Sequence, residues 1–128
     1  MFIRFVVLER DNDSGVRQGL FQAIVSLRRS GRMSKADDDR AVAIREWFNQ
    51  NLERPLRFNR SRKPNRKKKA ISWFKSGATR HLAKIRELQI ILESYGVHVD
   101  MVKTKRPGYI LYEDEFQVTA EPFRDTAT

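Results

Sequence analysis

The chain has 128 residues, and 40% of them are hydrophobic, which suffices for one ordinary core but makes two stable domains difficult. Cysteine is absent, so disulfide bonds and thiolate metal sites are excluded and a reducing compartment fits. The formal net charge is +10, and charge of one sign attracts polyanions while it opposes compaction. We therefore expect a single domain over residues 1–128.

The first segment predicts a strand and not an export signal. Phe2 to Leu8 is apolar except at Arg4 and rich in β-branched residues, as in a strand that is buried on both faces. Its apolar run is too short for a signal peptide and has no small-residue cleavage site. The longest uncharged stretch elsewhere, Gln18 to Leu27, has ten residues, whereas a membrane-spanning helix needs roughly 20 apolar ones. We expect a cytoplasmic protein without membrane contact.

Two amphipathic helices are predicted next. The first, Gly15 to Ser30, follows a turn-forming cluster and ends before Gly31, where a left-handed residue belongs. The second begins at Ser34, because Asp37 three residues later completes a helix-capping pattern. Pro55 ends it, since proline cannot continue a helix.

A third helix and three strands complete the predicted fold. An apolar face repeating at helical spacing places the helix from Ile71 to Leu92, with Leu82 and Ile85 buried and Gly96 as its C-cap. Gly77 inside it costs about 1 kcal/mol relative to alanine. Three short runs rich in valine, tyrosine and isoleucine predict a meander: Val97 to Lys103, Tyr109 to Tyr112 and Phe116 to Ala120. The order β-α-α-α-β-β-β predicts an α+β two-layer sandwich.

The positive charge is concentrated in one stretch, which we call the basic segment, residues 54–86. Its 33 residues contain thirteen lysines and arginines and no acid, whereas the rest of the chain has 13 basic and 16 acidic residues. Residues 54–69 show no helical or alternating period and predict a basic loop between the second and third helices. Loops of this length inside compact domains tend to be functional or disordered.

The basic segment favours binding to a polyanion. Lysines and arginines that neutralise phosphates release counterions, and arginine also holds phosphate oxygens in pairs. Phe58 and Trp73 offer rings on which bases can stack, and Trp73, Arg80 and Lys84 share one stripe of the predicted third helix. The candidate contact residues are Arg57, Phe58, Arg60, Arg62, Lys63, Arg66, Lys67, Lys68, Lys69, Trp73, Lys75, Arg80 and Lys84.

RNA is preferred over duplex DNA as the partner. The sequence shows no helix-turn-helix, zinc finger or basic zipper, while arginine-rich segments often become ordered on RNA. Two other interpretations stay open. In one, the basic loop is only solvated, its charges pair with Asp37 to Asp39, and Phe58 and Trp73 close the edge of the core. In the other, the polarised surface docks onto an acidic protein.

The residues favour a binding protein over an enzyme, with no metal and no cofactor. His81 lies beside the apolar face of the third helix, and His98 points away from the valines of its strand. With no cysteine, these histidines and the scattered carboxylates lack the spacing of metal ligands. Glu113 to Glu115 predicts a solvated turn, because three consecutive carboxylates cannot all reach one ion. The stretch Gly15 to Gly19 lacks the lysine and threonine of a phosphate-binding loop.

A strand, helices and a C-terminal meander on a small basic domain resemble the RelE and ParE type of bacterial toxin. The resemblance implies ribosome-dependent cleavage of mRNA or poisoning of gyrase, with basic residues near the C-terminal strands as the working groups. Lys103, Lys105 and Arg106 are the nearest candidates here. The chain differs from that pattern by a third helix and the basic loop, and by Glu121 in its last strand.

Overall fold

The structure is a computed structural model that describes residues 1–55 and 70–128. These residues form three helices and a six-stranded antiparallel sheet, which confirms the α+β class. The observed order has two more strands than the predicted one. The elements are β1 (Phe2–Arg10), β2 (Arg17–Gly19), α1 (Leu20–Arg29), α2 (Lys35–Asn51), β3 (Ile71–Lys75), α3 (Thr79–Ser94), β4 (Val99–Thr104), β5 (Tyr109–Glu113) and β6 (Gln117–Glu121).

Strand β1 is the centre of the sheet and has different neighbours on its two edges. One edge pairs with β4 over six residues. The other edge pairs with β3 at Phe2 and Ile3, and with β2 at Val6 and Arg10. Since β2 and β3 share this edge without pairing with each other, the sheet forks beside Arg4 and its neighbour Phe5.

The predicted C-terminal meander is only half correct. β5 and β6 form the expected antiparallel hairpin, and β6 continues the sheet by pairing with β3. β4, however, pairs with β1 and not with β5. The three strands lie where the apolar runs predict them, but the composition of a run does not determine which strand lies beside it.

The main core lies between the three helices and one face of the sheet. Ile3, Phe5 and Val7 alternate along β1 onto this face and join apolar side chains of all three helices. The first helix is five residues shorter at its start than predicted, because Arg17–Gly19 pair with β1. The second begins as predicted, with the Ser34 side chain accepting a hydrogen bond of 3.1 Å from the Asp37 backbone N–H.

The predicted third helix is wrong in its first two turns. Residues 71–75 form β3, and the helix begins only at Thr79. Isoleucine, tryptophan and phenylalanine in this stretch suit a strand as well as a helix, and the alternating burial of Ile71 and Trp73 is that of a strand. Gly77 lies in the turn before the helix, so the predicted cost of an interior glycine does not arise. Ile85 is buried as expected, whereas Leu82 is only partly buried.

The opposite face of the sheet carries a second, smaller cluster. Ile71, Trp73 and Val118 are buried there, with partly buried side chains packed against them from β1, from β4 and from the turn before β2. Arg4 lies on this same face, because it is separated from Phe2 by two positions along β1. None of the three helices in the described ranges is long and apolar enough to cross a membrane.

Candidate nucleic-acid interface

Eight of the thirteen cations of the basic segment lie in residues 57–69 and so outside the described residues, together with one aromatic candidate. Their predicted phosphate contacts and stacking stay predictions, and so does the predicted basic loop, most of which lies outside the described residues. These candidates are Arg57, Phe58, Arg60, Arg62, Lys63, Arg66, Lys67, Lys68 and Lys69. The structure does describe the chain on both sides of them, and five cations of the basic segment: Arg54, Lys75, Arg80, Lys84 and Arg86.

The chain that leads into the basic loop is held by two side chains from other elements. The carbonyl of Asn51, the last residue of α2, lies 2.7 Å from Nε2 of His81. The carbonyl of Glu53 accepts a hydrogen bond of 2.6 Å from the amide of Gln117, whose side chain is buried. On the far side of the loop, Ile71 pairs with β6. The described chain on both sides of the predicted loop is therefore attached to the core.

Asp114 in the β5–β6 turn supports this attachment. Its carboxylate accepts hydrogen bonds from the Gln117 amide at 3.1 Å, from the Tyr112 hydroxyl at 2.9 Å and from the Phe116 backbone N–H at 2.9 Å. Burial alone would raise the pKa of Asp114, but these donors outweigh it and hold the pKa below its ordinary value. The predicted solvated turn thus contains one carboxylate with a structural role.

His81 is buried and not at the edge of the helix. Its ring lies 4.3 Å from the Phe116 ring and 5.0 Å from the Trp47 ring, between centroids. Because Nε2 faces the Asn51 carbonyl, it carries the ring proton and donates it. Nδ1 is buried and has no hydrogen-bond partner in the described part of the chain. The residue therefore caps the end of α2, and its ring is closed to an external substrate.

Arg80 and Lys84 gather around an aromatic ring that the sequence did not reveal. The guanidinium carbon of Arg80 lies 5.7 Å from the centre of the Trp47 ring, and the Lys84 ammonium lies 5.9 Å from it. Both distances are within the range of cation–π attraction. Lys84 also pairs with Glu87 at 3.4 Å. Trp47 belongs to α2, and only helix packing brings it beside these cations.

Two other candidate contact residues, Trp73 and Lys75, are engaged within the protein. Trp73 lies on β3 and is 1% exposed, so it offers no ring face to a base at the surface, which corrects its predicted stacking role. Its Nε1 is buried without a hydrogen-bond partner within residues 1–55 and 70–128. The ammonium of Lys75 lies 2.6 Å from a carboxylate oxygen of Glu113 and is thus neutralised within the protein.

The three acids that were the predicted partners of the basic loop are occupied elsewhere. Asp38 pairs with Arg28 at 2.6 Å, and Asp39 with Lys35 at 3.1 Å. Asp37 accepts a hydrogen bond of 2.8 Å from the hydroxyl of Tyr95. Within residues 1–55 and 70–128, none of these partners belongs to the basic segment.

His98 belongs to a chain of polar contacts with Asp100 and Arg17. Its Nε2 is 2.7 Å from Asp100, whose second oxygen is 2.5 Å from Arg17. The hydrogen bond from Arg17, followed by that from His98, lowers the pKa of Asp100. Among the residues that the structure describes, no group of three histidines or carboxylates could hold a metal ion.

Comparison with protein families, with curated proteins and with solved structures finds no match to this chain. The resemblance to the RelE and ParE toxins therefore rests on element order and charge alone. That order differs further in the structure, because β2 is added before the helices, β3 lies between α2 and α3, and β4 pairs with β1 instead of β5. Of the implied working residues, Arg106 lies 4.9 Å from the Phe123 ring and 4.0 Å from Asp125.

Proposed function

We propose that this protein binds single-stranded RNA, in preference to DNA, through the basic segment. The observation that carries the proposal is the absence of any acid among thirteen cations in residues 54–86. Such a segment attracts a phosphate backbone, whereas the remaining residues of the chain have a small net negative charge. Release of counterions from the phosphates supplies the affinity.

Three described arginines of the segment support the proposal. Arg54, Arg80 and Arg86 are exposed, and no carboxylate pairs with them in the described ranges. Their guanidinium groups are therefore open to phosphate oxygens from outside. Trp47 adds an aromatic surface beside Arg80, as in the sites where bases stack next to cations.

The attachments at the two ends of the basic loop support the same function. His81 and Gln117 fix the backbone at Asn51 and Glu53, and β6 fixes Ile71. The described chain on both sides of the predicted loop is thereby fixed to the core beside the segment's described arginines. Fixed attachment points reduce the conformational entropy lost when a ligand binds.

The decisive experiment replaces Arg66, Lys67, Lys68 and Lys69 together by serine. If each of these side chains neutralises a phosphate of a single strand, the slope of log affinity against log salt should flatten by about 3, at roughly 0.7 for each contact. Binding should weaken to a similar degree for every RNA sequence. Fluorescence anisotropy with labelled oligoribonucleotides at several salt concentrations measures both effects.

A matched control removes the same charge elsewhere. Arg29, Lys103, Lys105 and Arg124 are exposed, and their joint replacement by serine should leave the slope close to that of the unchanged protein. An unchanged slope in the loop variant would contradict RNA binding by the loop and favour an acidic protein as the partner. Loss of affinity in the control alone would move the site to the C-terminal strands.

A further inference from the structure

A cavity opens at the fork of the sheet, between β2 and β3. Its volume is about 550 Å³, and Arg4, Phe5, Gly19 and Trp73 line it where the two strands part. Small-molecule sites commonly have about 300–1,000 Å³. Pro55 and other residues at the two ends of the basic loop also line the cavity. The space is thus large enough for a small organic molecule.

Both aromatic and charged side chains line the cavity. Phe5, Phe48 and Phe74 contribute aromatic rings from β1, α2 and β3. Among the residues that the structure describes, four arginines and two carboxylates line the same space. The arginines are Arg4, Arg17, Arg45 and Arg54, and the carboxylates are Asp11 and Glu53. This combination fits a ligand with an apolar body and a negatively charged group.

The carboxylates of the wall do not neutralise its arginines. Asp11 accepts hydrogen bonds of 2.9 Å from the backbone N–H and the hydroxyl of Ser14, and one of 3.1 Å from Gln22. Arg17 pairs with Asp100, which lies outside the cavity wall. For the other three arginines the described ranges contain no carboxylate partner.

Arg4 is the most unusual of these arginines. It is partly buried in the middle of β1, and one of its nitrogens donates to the backbone carbonyl of Arg17. Burial, and then the positive charge of Arg17, lower the pKa of Arg4 to about 10. A partly buried cation beside a second cation costs free energy unless an anion completes the site.

We propose that this cavity binds a small organic anion that reaches through the fork, with one phosphate or carboxylate group on Arg4 at one face of the sheet and an apolar or aromatic body against the phenylalanine rings at the other. The site goes beyond the RNA contacts of the basic segment, because Arg4, the residue that holds the anion, lies outside that segment. The anion has two sources in keeping with this chemistry: a free small molecule, or the terminal phosphate of a bound strand.

The proposal is tested by calorimetric titration of phenyl phosphate and of benzoate into the full chain. We expect saturable binding of at least one probe to the unchanged protein, and a loss of at least about tenfold, which is about 1.4 kcal/mol, in Arg4→Met. Arg29→Met removes one exposed arginine outside the cavity and should bind within about twofold of the unchanged protein. Inorganic phosphate, which lacks the apolar body, should bind more weakly than phenyl phosphate.

A second readout distinguishes a binding residue from a structural one. Because Arg4→Met removes a partly buried charge and keeps an apolar side chain, the free variant should melt at least about 2 °C higher than the unchanged protein. If Arg4→Met does not fold, Arg4→Lys serves instead, since it keeps the charge but loses the paired donors and should also bind the probes more weakly.

The proposal is overturned if no probe binds saturably at millimolar concentration, or if Arg4→Met and Arg29→Met bind equally well. The fourfold serine variant of the basic loop should keep its affinity for phenyl phosphate, so failure of RNA binding leaves this site standing. Oligoribonucleotides with and without a 5′-phosphate identify the source. If Arg4→Met weakens the binding of the phosphorylated strand alone, the anion is the terminal phosphate of a bound strand. If the unchanged protein binds both strands with equal affinity, the anion is a free small molecule.

Discussion

At the scale of single residues, Asp114 connects the β5–β6 turn to the entrance of the basic loop. It is the common acceptor for Tyr112, Phe116 and Gln117, and Gln117 in turn holds the Glu53 carbonyl. A carboxylate whose folded pKa lies below its unfolded value of roughly 3.9 stabilises the fold at neutral pH. That stabilisation is lost as the pH falls through the folded pKa.

We therefore expect Asp114→Asn to lower the urea midpoint at neutral pH, and the difference from the unchanged protein to shrink below about pH 4. Urea unfolding followed by circular dichroism at a series of pH values measures this. Glu115→Gln is the matched control, because Glu115 is exposed and its side chain forms no hydrogen bond within residues 1–55 and 70–128. A difference for Asp114→Asn that stays constant with pH would contradict the assigned role of the charge.

At the scale of elements, two glycines next to strands have different structural roles. Gly108 precedes β5 with φ of +131°, and a Cβ there would lie 1.9 Å from the carbonyl oxygen of Glu121. Gly77 lies in the β3–α3 turn, and a Cβ there would meet nothing within 4 Å. The first glycine lets the backbone approach the end of β6, whereas the second has no such constraint.

Gly108→Ala should accordingly destabilise the fold by about 2 kcal/mol or more, because both strain and a backbone clash oppose the new methyl group. Gly77→Ala should change stability by less than about 1 kcal/mol, in the stabilising direction, since it only restricts the unfolded chain. Chemical denaturation of both variants provides the comparison. Equal effects of the two substitutions would show that the close approach at Gly108 does not hold in solution.

At the scale of the whole molecule, the uneven charge has a consequence for stability. The net charge is +10, and thirteen cations without an acid are confined to residues 54–86. We expect their mutual repulsion to oppose folding, because compaction generally brings like charges closer together. Salt weakens this repulsion, because the Debye length falls from about 10 Å at 0.1 M to about 3 Å at 1 M.

We therefore expect the Tm of the free protein to rise between these two sodium chloride concentrations. The rise should be smaller in the fourfold serine variant of the basic loop, which loses four clustered charges. In the matched control variant, whose four charges are dispersed, the rise should be close to that of the unchanged protein. Differential scanning calorimetry measures the three values, and a Tm that falls with salt would mean that ion pairs outweigh the repulsion.

How much of the site could be predicted depends on whether its residues share one segment. The basic loop and the pair Arg80 and Lys84 were visible because their charges are close in sequence. Trp47, Gln117 and Asp114 were not, since each reaches the site from another element and has no local pattern that marks it. Trp73 was predicted on the third helix but lies on β3, because a five-residue stretch with two aromatic rings fits a short strand and a helix equally well.

The sequence by itself determined the α+β class, the second helix with its Ser34 cap, the left-handed glycines at 31 and 96, and the polarised charge. These features depend on neighbours within a few residues, which local propensity and spacing report. Tertiary structure alone decided that β4 pairs with β1, that the sheet forks beside Arg4, and that an arginine-lined cavity opens there. Pairing between distant strands is set by the packing of the whole core, which no local pattern encodes.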